Sequence, residues 1–153
     1  MELDAIDRKL LAAVQIDAAQ SADALAQRVG LSASAVQRRL NRLKEAGVIR
    51  REVAVVSHEA VGRPFLLIVE VKVEGDKEPD ATNFERRIES SPEVMQCYYV
   101  TGGADYVLVC SFRDMSEYEA FSQRHFVENP RVVRFETKVV ISPIKMTLQV
   151  LVA

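Results

Sequence analysis

The hydrophobic period changes once along this chain, and that change decides the class of fold. Up to Ala46, apolar residues recur every three or four positions; beyond Gly47 they alternate or run continuously. The first spacing belongs to helices and the second to strands. A helical part therefore precedes a strand-rich part, and 153 residues suffice for one domain or two small ones. With 48% hydrophobic and 27% charged residues the chain has ordinary globular composition, so disorder is excluded for most of it. No apolar run approaches the ~18 residues of a membrane helix. The start, Met1-Glu2-Leu3-Asp4, lacks the basic and apolar regions of a secretory signal. The expectation is a cytoplasmic protein with no membrane partner. Two cysteines and two histidines provide neither a disulfide framework nor a zinc site.

Three helices are expected first. Leu3, Ile6, Leu10, Leu11 and Val14 form one apolar stripe, with Asp4 and Asp7 in the first turn, where negative charge suits the helix dipole. Ser21 caps a second helix with Leu25, Ala26 and Val29 inward, and Gly30 ends it. Leu31 plugs the core, and Ser32 caps a third helix whose Val36, Leu40 and Leu43 face inward. At ~100° per residue, Ser34, Arg38, Asn41 and Arg42 cluster on its opposite side, flanked by Gln37 and Lys44. Helix, short glycine-containing turn and polar helix make a helix-turn-helix pattern.

The chemistry of that outer face suits a duplex. Arginine bridges guanine O6 and N7, and glutamine or asparagine bridges adenine N6 and N7. A serine at a helix start holds phosphate. The candidate DNA-binding residues are Ser32, Ser34, Gln37, Arg38, Asn41 and Arg42. The charge distribution agrees: net charge is −2 overall, yet residues 28–51 carry Arg28, Arg38, Arg39, Arg42, Lys44, Arg50 and Arg51 against Glu45 alone. The competing interpretation is an ordinary three-helix bundle with a solvated third helix. Arg39 and Lys44 fit that interpretation best, as solubility or phosphate charges.

The second part reads as follows. Val48 to Val56 is a short connecting strand, Gly62-Arg63-Pro64 a break, and Phe65 to Glu74 a strong strand. Gly75 to Pro79 is a polar turn, Asp80 to Ser91 a helix with Phe84 and Ile88 inward. Strands follow at Val94 to Thr101 and Tyr106 to Phe112, then a helix at Asp114 to Phe126, and strands at Val132 to Ile141 and Met146 to Val152. The order β-α-β-β-α-β with an added strand is the split βαβ, ferredoxin-like arrangement. Apolar residues on both faces of its sheet predict pairing with a second subunit.

The turn Thr101-Gly102-Gly103-Ala104-Asp105 is a candidate ligand site. Glycines admit close backbone approach, their N–H groups bind a carboxylate, and Asp105 pairs with an ammonium. That suits an amino-acid zwitterion. The alternative is a tight hairpin turn in which Asp105 satisfies backbone donors. Cys97 and Cys110 on adjacent strands read as buried thiols. No metal ligand set, nucleophile–base pair, P-loop or dinucleotide fingerprint occurs, and no cofactor beyond an amino-acid effector is expected.

The order of motifs resembles a known family. Leu3-Asp4, Asp7-Arg8-Lys9-Leu10-Leu11, Leu25-Ala26, Val29-Gly30-Leu31-Ser32, Val36, Arg38-Arg39-Leu40, Arg42-Leu43 and Gly47-Val48-Ile49 look like the leucine-responsive/asparagine-responsive (Lrp/AsnC) regulators. Ser91-Pro92-Glu93-Val94, Cys97, Val100-Thr101-Gly102 and Asp105-Tyr106 resemble their amino-acid-sensing half. The similarity runs from about residue 2 to residue 150. It implies an α+β protein in three parts: a winged-helix-like helix-turn-helix DNA-binding domain at 1–52, a strand or hinge at 53–62, and a ferredoxin-like sensing and oligomerisation domain at 63–153. It implies a sequence-specific, amino-acid-responsive transcription regulator, not an enzyme, whose partners are double-stranded DNA, an amino acid and further copies of itself, as dimers assembling to octamers. By family position the loop 101–105 contributes to an effector site between dimers, and Thr137 joins it. Where the family often has Gly-Tyr after the third helix this chain has Arg51-Glu52, and its end, Leu148 to Ala153, departs from the usual Leu-Pro pattern. Two other functions stand as alternatives: a sensor acting through protein contacts, and a small ferredoxin-like dimeric enzyme.

Overall fold

A computed structural model describes residues 2–74 and 80–152. The polar turn expected at 75–79 lies outside the described residues. The chain divides into two compact units, Met1–Val55 with Lys145–Ala153, and Val56–Ile144.

The first unit holds α1 (Ala5–Ile16), α2 (Ala22–Val29) and α3 (Ala33–Glu45). Each begins directly after a residue whose side chain satisfies an orphan amide of the first turn. Asp4 Oδ1 accepts the Asp7 N–H at 2.7 Å and Asp7 Oδ2 accepts the Asp4 N–H at 3.3 Å, closing a reciprocal cap. Ser21 Oγ accepts from the Ala24 N–H and Ser32 Oγ from the Ala35 N–H. Gly30 ends α2 in the left-handed region at φ 70°. That geometry is cheap for glycine and releases the chain into α3 after only two residues. Leu10, Leu11, Leu25, Val36, Leu40 and Leu43 make the core, with Leu31 packed against it as the sequence suggests.

Two expected strands are absent here. Residues 48–56 run irregularly. The amides of Val48 and Ile49 turn back onto the Leu43 carbonyl at 2.9 and 3.1 Å, finishing α3. Val53, Val55 and Val56 remain exposed, so the apolar pattern there finds no ladder within the described residues. Residues 146–152 also form no strand, and they group with the helices. Gln15 Nε2 donates to the Val150 carbonyl at 3.1 Å, the Val150 N–H donates to Gln15 Oε1 at 2.8 Å, and Gln149 Nε2 donates to the Gln15 carbonyl at 2.8 Å. A side-chain amide takes the place of a neighbouring strand, and Val152 packs on the helical core.

The second unit follows the order β1 (Phe65–Val73), α4 (Asp80–Glu89), β2 (Val94–Tyr99), β3 (Tyr106–Phe112), α5 (Met115–Ser122), β4 (Val132–Val139). The sheet is antiparallel with order β2-β3-β1-β4, the ferredoxin-like arrangement. Leu67, Val69 and Val71 of β1 and Leu108, Cys110 and Phe112 of β3 meet Phe84, Ile88, Tyr118 and Phe121 in the core. The helix expected to reach Phe126 instead changes to a wider π turn over Gln123–Val127. An α-helix would swing Phe126 ~140° round from Phe121. One i→i+5 turn brings both rings inward, and they meet edge to face at 5.6 Å. The far face of the sheet mixes Ile68, Val107, Val109 and Tyr98 with an ionic row in which Lys138 meets Glu70 at 2.7 Å and Glu136 at 3.1 Å.

Candidate nucleic-acid interface

The outward side of α3 is the most chemically organised surface of the helical unit. Val36, Leu40 and Leu43 anchor the helix, which leaves Ser34, Gln37, Arg38 and Asn41 exposed. Gln37 Nε2 donates to Asn41 Oδ1 at 3.0 Å. The contact spans one helical turn and aligns two amides before any ligand arrives. Ser32 Oγ lies 3.1 Å from Ser34 Oγ while serving as the cap, so it marks the helix start. Arg38 makes no side-chain hydrogen bond or ion pair with the described residues. Arg38 lies one turn after Ser34 and one before Asn41 on the same exposed side of α3, and its donors have no internal partner among the described residues.

The other basic residues of this stretch differ. Arg42 Nη2 donates to Asp7 Oδ2 at 2.6 Å, and Arg39 Nη1 donates to Asp7 Oδ1 at 2.8 Å and Asp4 Oδ2 at 2.6 Å. Arg42 therefore belongs to the outer face by position but carries an internal partner. Arg39, expected from the sequence as a solubility or phosphate charge, is instead held in an ion pair with the buried Asp7 and with Asp4. The Asp7 N–H, and then Arg39, hold the Asp4 carboxyl below the usual carboxylate range, and Asp4 ahead of Asp7 pushes the Arg39 guanidinium up. Lys44 Nζ meets Glu52 at 3.0 Å on the surface. This network escapes a reading by helix periodicity alone. Its one local signal is Asp7 itself, a carboxylate on the apolar stripe of Leu3, Leu10, Leu11 and Val14, where a buried charge needs partners.

The loop between β2 and β3 is also well defined. Gly102 has φ 120°, which favours glycine. Asp105 is engaged: Oδ1 accepts from Lys72 Nζ at 3.0 Å, Oδ2 from the Val73 N–H at 2.9 Å, and its own N–H donates to the Val71 carbonyl. The Val73 N–H is a backbone donor of the kind the hairpin-turn interpretation expects, but it belongs to β1, and Lys72 adds a side-chain cation that interpretation did not include. Thr137 is not brought to this loop within the protomer. It pairs across from Val69 on the helix-covered face and hydrogen-bonds the Tyr118 hydroxyl. Along β1, Val69 lies two steps from Val71 and four from Val73, the residues whose backbone meets Asp105, or ~7 and ~13 Å at ~3.3 Å each.

A cleft of about 420 Å³ between α4 and β2 is lined by Glu85, Ile88, Met95, Cys97, Tyr99 and Tyr106 among others. The Tyr106 hydroxyl donates to Glu85 Oε1 at 2.8 Å, and burial, ahead of that carboxylate, raises its pKa. Cys110 is buried and its thiol is pushed up to about 12, whereas Cys97 is exposed, contrary to the expectation of two buried thiols. Among the described residues no cluster of three or more His, Cys, Asp or Glu is placed to hold a metal ion. No helix of the described residues is long and apolar enough to cross a membrane.

Comparison with known proteins assigns both halves. Residues 3–50 match the winged helix-turn-helix DNA-binding family, and residues 66–150 match the Lrp/AsnC ligand binding domain. An uncharacterized HTH-type transcriptional regulator of Sinorhizobium fredii is 45% identical over 98% of this chain and 89% of its own length. The leucine-responsive regulatory protein of Rhizobium meliloti is 31% identical over 98% of this chain and 96% of its own. The crystal structure of a Neisseria meningitidis transcriptional regulator in complex with L-Met superposes with a TM-score of 0.89 at 31% identity, covering 97% of this chain and 96% of that one. This chain belongs to the Lrp/AsnC family of DNA-binding transcription regulators.

Proposed function

We propose that this regulator reads its operators through the outer face of α3, with Arg38 as the principal base-reading side chain. Gln37 and Asn41 act beside it, Ser32 and Ser34 meet phosphate at the helix start, and Arg42 borders the duplex. The observation that carries this is the exposed Arg38 guanidinium, free of internal partners beside the pre-aligned Gln37–Asn41 pair. An effector amino acid acts on the other half through residues 101–105. Its carboxylate faces the amides of Gly102 and Gly103, and its ammonium shares Asp105 with Lys72. Thr137 enters through a neighbouring subunit's arrangement. Relatives solved with L-methionine support an amino acid as the ligand class. The far face of the sheet, with half-buried Ile68, Val107 and Val109 and exposed Tyr98, pairs with a second copy, and the dimers assemble to octamers in the cytoplasm. A dimer presents two α3 helices to major grooves about one helical turn, ~34 Å, apart.

The test is selection of bound genomic fragments with and without an amino-acid pool, followed by gel shifts on the fragments recovered and light scattering for the oligomer. Enrichment of discrete sites that changes with the pool is expected. Amino-acid binding by calorimetry with no DNA enrichment would favour a sensor acting through protein contacts instead.

A further inference from the structure

We propose that Asp4 and Asp7 of the α1 N-terminus are positioning residues that set how much positive charge α3 offers the duplex, so that selectivity rests on Arg38. The inference rests on the reading of α3 above. Asp7 is fully buried, and each of its oxygens is occupied by a different guanidinium of α3: Oδ1 by Arg39 at 2.8 Å, Oδ2 by Arg42 at 2.6 Å. Asp4, at the surface, takes Arg39 as well, at 2.6 Å. Two carboxylates thus balance two guanidiniums on the edge of the helix that borders the groove. Both acids are also held by the reciprocal cap of α1, so the counter-charge sits on a fixed backbone.

The consequence concerns counterions. A free cation that neutralises a phosphate releases counterion and strengthens binding to any sequence, with ~0.9 in the slope of log affinity against log salt for each phosphate. A guanidinium already matched by a buried carboxylate contributes little of this. Arg39 and Arg42 are matched; Arg38 is not. General attraction along α3 is therefore held down while base reading is kept, which widens the gap between operator and random DNA. The single bond from Arg42 to Asp7 also fixes where its remaining donors lie.

The test uses the full chain as wild type, Asp7→Asn, Asp4→Asn and Arg38→Gln. Each is titrated by fluorescence anisotropy onto a selected genomic duplex and a random duplex of equal length, across ~50–200 mM salt. Asp7→Asn is expected to steepen the salt slope by one to two phosphate equivalents, ~0.9 each. Random-duplex affinity rises several-fold and the ratio of specific to random binding narrows. Asp4→Asn keeps a good N-cap residue and is expected to fold even if Asp7→Asn does not. It steepens the slope by up to one equivalent. A folded Asp7→Asn protein with an unchanged slope overturns the proposal. So does a proportional loss on both duplexes, the signature of a merely structural acid, and so does an unchanged slope in Asp4→Asn when Asp7→Asn fails to fold. Arg38→Gln separates the two levels. Full discrimination in that variant overturns the α3 reading itself; lost discrimination there, with unchanged slopes in the Asp variants, overturns only the counter-charge.

Discussion

Gln15 clasps the backbone of Val150 in both directions, its Nε2 donating to the Val150 carbonyl at 3.1 Å and its Oε1 accepting the Val150 N–H at 2.8 Å. One side chain at the end of α1 thereby holds a tail that is 135 residues distant in sequence. Gln15→Ala removes both bonds and leaves the Val150 amide to water. Exposed hydrogen bonds contribute little net, so the cost is about 1 kcal/mol. Hydrogen exchange at Val150 is expected to accelerate while exchange within α2 and α3 stays unchanged; unaltered protection at Val150 would refute the clasp.

Arg38→Ala is expected to cost roughly 1–3 kcal/mol of binding and to relax preference at one base pair. Lys44→Ala, by contrast, is expected to weaken all sequences alike, because Lys44 is a surface charge whose partner Glu52 is itself exposed and gives way to a phosphate. Competition gel shifts on single-base variants of a selected site distinguish the two. Equal loss on specific and random duplex for Arg38→Ala would contradict its base-reading role.

Gly102 sits at φ 120°, a conformation that side chains bearing a Cβ avoid. Nothing would crowd an added Cβ there, so any cost is backbone strain and not a clash. Gly102→Ala is expected to destabilise the sheet unit by about 1–3 kcal/mol in urea unfolding. Its amino-acid affinity falls with it under the proposed loop site, which calorimetry measures.

His125 lies buried in the π turn, with Nε2 3.3 Å from Ser91 Oγ and its ring 4.4 Å from that of Phe121. Burial first, then the charges of Arg87 and Arg124, lower its pKa, against a smaller opposing pull from Glu93. The unfolded chain takes up this proton near its ordinary value of 6.5 and the folded chain only at lower pH. Between those points the unfolded state holds more protons, so stability falls as pH drops below 6.5 and levels off once the folded value is passed. Melting temperatures measured from about pH 7.5 down to about pH 5 are expected to show this decline. His125→Gln is expected to remove that part of the slope, and a variant with the wild-type slope would exclude His125 as its source.

Sequence by itself determined the features that reside within a few residues of each other. Ser21 and Ser32 announced two helix starts because capping is an i to i+3 interaction, whereas Asp4, expected within the first turn, is itself the cap of α1. The spacing of Val36, Leu40 and Leu43 marked the buried side of α3, and with it the outer face that carries Arg38. Strand alternation from Phe65 onward was sufficient for the βαββαβ order, because each strand's inward set is written along its own length. Tertiary structure alone decided which polar groups those faces meet. The helix period set Arg42 on the outer face and left Arg39 as a solvated charge, yet both turn to Asp7, which lies 32 residues before Arg39 and 35 before Arg42. The alternation of residues 146–152 suited a strand, but a ladder requires a neighbour with open hydrogen bonds, and Gln15 supplied the partner instead. The π turn at Gln123 likewise follows from the core's demand for both Phe121 and Phe126. Local propensity is set by neighbours along the chain; pairing of charge and burial is set by what the folded backbone brings alongside.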